Sequence, residues 1–109
     1  MAHEIFDWLE AIIARRKAER PEGSYTTYLF AAGQDKILKK VGEEVAETIV
    51  ASKNGARTEI IAESADLLYH LLVLLAYHEV PLAEVEALLR ERHGAGHLAD
   101  AAPRATGPG

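Results

Sequence analysis

At 109 residues the chain suits a single domain, and its apolar fraction of 49% is enough to bury a core without covalent staples. It contains no cysteine, which excludes disulfides and thiolate metal sites and fits a reducing cytoplasm. The net charge of −5 argues against a broad nucleic-acid surface, which needs a basic field, but leaves room for a phosphorylated ligand held by metal ions and a local lysine cluster.

The chain opens Met1-Ala2-His3-Glu4, with no basic region followed by an apolar run, so no signal peptide is expected. Ile5, Trp8, Leu9, Ile12 and Ile13 recur at helical spacing and predict an amphipathic helix, with Trp8 in the core and Arg15, Arg16, Lys17 and Arg20 at its end. Pro21-Glu22-Gly23 breaks it. Ser24 is a fitting cap for a short helix from Tyr25 to about Ala32. Gly33 interrupts, and a long helix is expected from about Gln34 to Lys53, its core stripe formed by Ile37, Val41, Val45 and Ile49. Asn54-Gly55 ends it. Thr58 is the expected cap of the next helix, Glu59 to about His78.

The second half of that helix, Leu67 to Leu75, is apolar nearly all round and has to be covered on every side. One small domain hardly manages this, so a partner chain and a homodimer are expected; the competing reading is a helix central to one bundle. The longest apolar stretch, Leu71 to Tyr77, is too short to span a bilayer, and no membrane role is expected. Pro81 suits the first position of a last helix with Leu82, Val85, Leu88 and Leu89 on one face, and Gly94 stops it. Residues 95–109 are rich in Ala, Gly and Pro and read as a flexible tail, leaving 1–94 as the domain. With no strand signal and no repeat, the fold class is all-α: a bundle of four to five helices around a central antiparallel hairpin, completed by dimerisation.

Five carboxylates carry the functional signal. Glu43, Glu44 and Glu47 lie before the Asn54-Gly55 turn, and Glu63 and Asp66 lie after it. Gly55 is the midpoint of Glu47 and Glu63, and equally of Glu44 and Asp66. Equal counts from a turn mean equal heights along an antiparallel pair, and i,i+3 spacing puts both members of each pair on one side of their helix. Glu44, Glu47, Glu63 and Asp66 therefore form a square of acids, a site for a hard divalent cation such as Mg²⁺ or Mn²⁺. The bland alternative, a solvated acidic face, fits a lone E-x-x-E better than two clusters mirrored about a turn. Glu43 falls outside the square and can orient or deprotonate a water; it and Glu47 are the catalytic candidates. A di-iron carboxylate bundle is disfavoured, since it needs Glu-x-x-His where this chain has Glu-x-x-Asp.

The E-E-x-x-E … E-x-x-D pattern resembles the all-α nucleoside-triphosphate pyrophosphohydrolases, the MazG-like superfamily. Ser24-Tyr25-Thr26, the run Lys36-Ile37-x-Lys39-Lys40-Val41-Gly42-Glu43-Glu44 and the run Ala65-Asp66-Leu67-Leu68-Tyr69-His70-Leu71 narrow the resemblance to the phosphoribosyl-ATP pyrophosphatases of histidine biosynthesis. It covers about residues 3–94. It implies hydrolysis of 1-(5-phosphoribosyl)-ATP to 1-(5-phosphoribosyl)-AMP and pyrophosphate in the cytoplasm, and the form without the fused cyclohydrolase, whose cysteine zinc ligands are absent. His78-Glu79-Val80-Pro81 departs from the pattern where a Gly-containing turn is expected.

Through the resemblance, Lys36 and Lys40, on the stripe of the acids, are expected to grip phosphates, although plain salt bridges to Glu43 and Glu44 are the simpler account. Ser24, Tyr25 and Thr26 supply hydroxyls and helix N-terminal N–H groups for an anion, as well as a cap. Lys53 and Asn54 are candidate phosphate or ribose contacts, or only a helix end. Tyr69 and His70 are read as core or interface groups, with a possible role in orienting the carboxylates. Two other functions stay open: a housekeeping pyrophosphohydrolase of dNTPs, and a non-catalytic helical dimerisation module.

Overall fold

The computed structural model describes residues 4–94. Five helices follow in order: α1 (Glu4–Glu19), α2 (Tyr25–Ala32), α3 (Gln34–Asn54), α4 (Arg57–Tyr77) and α5 (Leu82–His93); there is no strand among the described residues. The first four lie in one compact unit, Met1–Glu79, and α5 in a second that begins at Val80.

The breaks fall where the backbone demands them. Gly33 takes φ 99° between α2 and α3, a value that a side chain strongly disfavours. Gly55 closes α3 in the left-handed region at φ 66°, its N–H bonding the carbonyls of Ala51 and Ser52. Only Gly55 and Ala56 separate α3 from α4, so the chain turns straight back. This tight turn overrides the expected Thr58 cap: the Ala56 carbonyl already accepts from Ile60 N at 2.9 Å, and Thr58 lies inside the helix. Glu79 adopts φ 56°, so the bend after α4 has the left-handed shape that suits glycine, without the glycine.

Each of the four helices sends one fully buried side chain into a common centre: Ile13, Leu29, Ile37 and Val73. Phe30, Ala51 and Leu72 extend it. The α3–α4 hairpin is the most extensive packing; α1 lies against α2 and α4, and α2 against α3. Lys17 fastens α1 to the far end of α4, its ammonium donating to the carbonyls of Ala76 at 2.7 Å and Tyr77 at 3.4 Å, at a helix C-terminus where a cation is favoured.

Two expected core assignments fail. Trp8 is 59% exposed, and the α3 stripe ends early, with Val45 exposed and Ile49 58% exposed. The cause is reach. A 21-residue helix extends for about 30 Å, whereas the eight-residue α2 packed on it extends for about 12 Å and lies along only part of it. Leu68 and Leu71 on α4, and Ile5 on α1, are also exposed, so the all-round apolar character of α4 is only partly covered within the chain. As a whole α4 reaches a mean hydropathy of 1.5 over 18 residues, enough in length and composition for a bilayer span, although Leu71 to Tyr77 alone is not. Its acids at Glu63 and Asp66 oppose that use, because charges facing lipid are strongly disfavoured.

In the second unit, α5 starts at Leu82 with Pro81 as the capping residue, and Gly94 ends it at φ 63°. Leu88 and Leu89 are exposed. The expected tail, 95–109, lies outside the described residues.

Candidate active site

The hairpin brings the acids together. One carboxylate oxygen each from Glu44, Glu63 and Asp66 lie within 4.8 Å of one another. Glu44 is the deep member at 6% exposure, Glu63 is half-buried and Asp66 is open to solvent. Oε1 of Glu44 and Oε1 of Glu63 are buried without a hydrogen-bond partner. A buried acceptor left unpaired costs about 1–3 kcal/mol, and more when charged. An all-oxygen donor set with two orphaned oxygens fits a hard cation such as Mg²⁺.

Glu47 attaches to this trio through Glu63. Hydrogen bonding to Glu63, and then its charge, hold Glu47 above the usual carboxylate range. Glu63 is raised too, first by burial and then by its contact with Glu44. The arrangement is thus three converging carboxylates with a fourth leaning on one of them. Glu47 itself is exposed.

The rim is built by α3 and α2. Lys40 Nζ lies 3.4 Å from Glu43 Oε1, so Glu43, outside the trio, is tied to an ammonium. Tyr25 is the main influence holding Lys40 above the usual lysine value, with Glu43 and Glu44 adding to it. Tyr25 in turn is raised chiefly by burial, while Lys40 opposes the rise. Lys36 takes another course: its Nζ sits 5.9 Å from the centre of the Tyr28 ring, a cation–π contact one turn from Lys40. Lys53 and Asn54 are exposed at the tip of the hairpin, Asn54 roughly 10 Å along the axis from Glu47.

The Ser24-Tyr25-Thr26 segment is engaged from within. Ser24 Oγ accepts from Thr27 N at 3.2 Å, the expected cap, and from Arg16 Nη1 at 3.3 Å. Thr26 is buried and its hydroxyl pairs with the Tyr69 hydroxyl. The Tyr25 hydroxyl meets His70 Nε2 at 2.9 Å. Arg16, Tyr69 and His70 thus join the site's frame although sequence reasoning gave Arg16 only a helix-end role. The signal for Tyr69 and His70 was present: both follow Asp66 directly, one turn along α4. His70 does not orient a carboxylate; its Nδ1 bonds the Asp66 backbone carbonyl at 2.7 Å.

Toward the turn, a cavity of about 260 Å³ opens between α3 and α4. Its floor is Ala46, Val50 and Ala51, and Glu47, Glu59 and Glu63 line its walls. The acids therefore stand between a polar rim at one end and an apolar recess at the other.

Comparison with known proteins identifies the family. The phosphoribosyl-ATP pyrophosphohydrolase family model matches residues 6–93. Over 85 residues the chain is 62% identical to the histidine biosynthesis bifunctional protein HisIE of Halalkalibacterium halodurans, covering 78% of this chain and 40% of that protein. It is 53% identical over 88 residues to the phosphoribosyl-ATP pyrophosphatase of Pelotomaculum thermopropionicum, covering 81% of this chain and 89% of that one. With the phosphoribosyl-ATP pyrophosphatase of Dechloromonas aromatica the identity is 44% over 104 residues, covering 95% and 96%. The chain spans less than half the length of the bifunctional relatives and nearly all of these two pyrophosphatases. With a match that runs from α1 to the end of α5, the chain belongs to the phosphoribosyl-ATP pyrophosphohydrolase family, a family of hydrolases.

Proposed function

We propose that this chain hydrolyses 1-(5-phosphoribosyl)-ATP to 1-(5-phosphoribosyl)-AMP and pyrophosphate in histidine biosynthesis, with Mg²⁺, or Mn²⁺ in its place, held by Glu44, Glu63 and Asp66 and flanked by Glu47. The observation that carries the reading is the convergence of three carboxylates with two buried, unpartnered oxygens, in a chain of this family. When bound, the cation supplies charge neutralisation on the triphosphate and acidifies a water. The protein's own groups do the rest. Glu47, exposed beside Glu63, is suited to take a proton from the attacking water. Glu43 fixes Lys40 through their 3.4 Å ion pair, and Lys40 meets phosphate charge at the rim. Ser24, whose oxygen accepts two bonds, keeps its proton for a ligand oxygen. Tyr25 and Thr26 fix the start of α2 against His70 and Tyr69 of α4. The apolar recess beyond Glu47 suits the base better than a phosphate. Lys53 and Asn54, at the hairpin tip, reach only an outlying part of the substrate.

The enzyme works as a homodimer in the cytoplasm, where an ATP-derived substrate is made. The dimer reading is supported by the exposed apolar residues Ile5, Trp8, Val45, Ile49, Val50 and Ile61, more than a monomer of this size gains by leaving in water. A pyrophosphate-release assay tests the function: turnover of phosphoribosyl-ATP that stops with chelator is expected, and preference for a dNTP over phosphoribosyl-ATP would overturn it.

A further inference from the structure

The recess between α3 and α4 has an acid in its wall that the hydrolysis itself leaves without a task. Glu47, Glu59 and Glu63 all line it, over a floor of Ala46, Val50 and Ala51. Glu47 and Glu63 belong to the acid cluster. Glu59 does not. It lies four residues before Glu63, on the same face of α4 and about 6 Å nearer the joint. Counting from Gly55, the residue level with it on α3 is Ala51, and the small side chains of Ala46 and Ala51 leave the helices open at this point. Among the described residues, no Lys, Arg or His forms an ion pair with any of the three acids.

Size and charge say what fits. A recess of about 260 Å³ falls below the roughly 300–1,000 Å³ of pockets that enclose a whole drug-sized ligand, so it takes one ring system rather than a nucleotide. An apolar floor between negative walls favours a flat cation over a neutral ring. The base of the substrate is such a cation. Phosphoribosyl-ATP carries its second sugar on N1 of the adenine. An adenine alkylated at N1 is an amidine base, and at neutral pH it holds a proton, with the positive charge spread over N1, C6 and N6. The adenine of ATP is neutral there. Both molecules bring the same triphosphate to the acid cluster, so the base has to tell them apart. With the triphosphate at the acids and the base in the recess, N9 faces Glu47 and Glu63, and the edge bearing N1 and N6 faces the joint, on the side of Glu59.

We propose that Glu59 is a specificity-determining residue: its carboxylate, on the wall of the apolar recess, accepts from N6–H of the positively charged, N1-substituted adenine and so selects phosphoribosyl-ATP over ATP. The role rests on the phosphoribosyl-ATP reading of the site. It makes the discrimination electrostatic and assigns it to a residue outside the converging trio. The phosphoribosyl group then extends past Glu59 toward the hairpin tip, where Lys53 is exposed.

The test compares kcat/KM for phosphoribosyl-ATP, 1-methyl-ATP and ATP in the wild type and in Glu59→Gln. 1-Methyl-ATP has the charged base without the second sugar. The wild type should prefer both N1-substituted nucleotides to ATP. Glu59→Gln should lower each of these two preferences about tenfold, the size of one charge-assisted hydrogen bond, through a raised KM rather than a lowered kcat. Equal losses for all three nucleotides, or a loss in kcat alone, would mean that Glu59 serves only the N-terminus of α4 or the cluster, and would overturn the proposal. So would a preference for 1-methyl-ATP that the substitution leaves intact, because the charge is then not what Glu59 reads. A second measurement needs neither turnover nor the variant. 1-Methyladenosine, which has no phosphate, titrated into the wild type in chelator should shift the amide signals of Ala46, Val50 and Ala51 at lower concentration than adenosine does. Equal responses to the two nucleosides, or none at these residues, would overturn the proposal even if Glu59→Gln does not fold. If the wild type releases no pyrophosphate from phosphoribosyl-ATP, the function is wrong, while the titration still decides whether the recess selects a cationic purine.

Discussion

Glu44→Gln should make the cation-free protein more stable and the enzyme inactive. Glu44 is 6% exposed and its Oε1 has no partner, so in the absence of cation the fold carries a buried, incompletely satisfied carboxylate facing Glu63 and Asp66. Gln has the same shape and no charge. An unsatisfied buried acceptor costs about 1–3 kcal/mol and a charged one more, so neutralising it should return about 1 kcal/mol. For a domain of this size that is a rise in Tm of about 4–8 °C. In saturating Mg²⁺ the order should invert: a ligand at a hundred times its Kd stabilises the native state by about 2.7 kcal/mol, and the variant, short of one of three converging oxygens, gains little of this. Loss of one preorganised electrostatic group typically lowers kcat by about 10²–10³. Thermal melts in chelator and in Mg²⁺, beside pyrophosphate release, read all three. A variant that melts below the wild type in chelator would show that Glu44 is structural, and a variant with wild-type turnover would remove it from the metal set.

Three other outcomes follow from the same geometry. Glu47 and Glu63 have folded-state pKa values above their ordinary 4.5, so between that value and the raised ones the native state binds more protons than the unfolded state. The cation-free protein should therefore gain stability as pH falls from neutral toward 4.5, and Glu47→Gln should flatten that slope; denaturant midpoints that fall over this range would contradict the assignment. Lys40→Ala removes a charge-assisted contact worth about 1.5–3 kcal/mol, so KM for phosphoribosyl-ATP should rise at least about tenfold with a smaller change in kcat. Ile49→Asp puts a charge into the exposed apolar part of α3 and should shift sedimentation to the monomer, whereas a wild type that is monomeric at every concentration would refute the dimer.

The acid cluster was legible in the sequence because counting from a turn is a geometric operation: positions equidistant from Gly55 end up level on α3 and α4. The helix breaks were legible because Gly33 and Gly55 hold backbone angles that few other residues take. Depth was not legible. Glu43 and Glu44 are adjacent, yet one lies at the rim with Lys40 and the other is buried, and only the rotation of α3 against α4 decides which. Nor were the partners of Tyr25 and Thr26: their bonds to His70 and Tyr69 join residues more than 40 positions apart, and local pattern carries no record of that docking. Trp8 was misjudged for a related reason, since a periodic apolar face says that something covers it and not that the same chain does.

The two-residue joint between α3 and α4 has a consequence for how this chain can change. From Glu44 to Asp66 the hairpin tolerates altered side chains far more readily than altered length. One residue inserted within either arm between the joint and its acids would swing those acids by about 100° around the helix axis and lift them by about 1.5 Å. Gly55 and Ala56 are the natural place to absorb an extra residue, since a loop there can bulge without turning the helices out of phase. Length polymorphism in this protein should therefore collect at that joint and beyond α5, while the arms themselves vary by substitution alone.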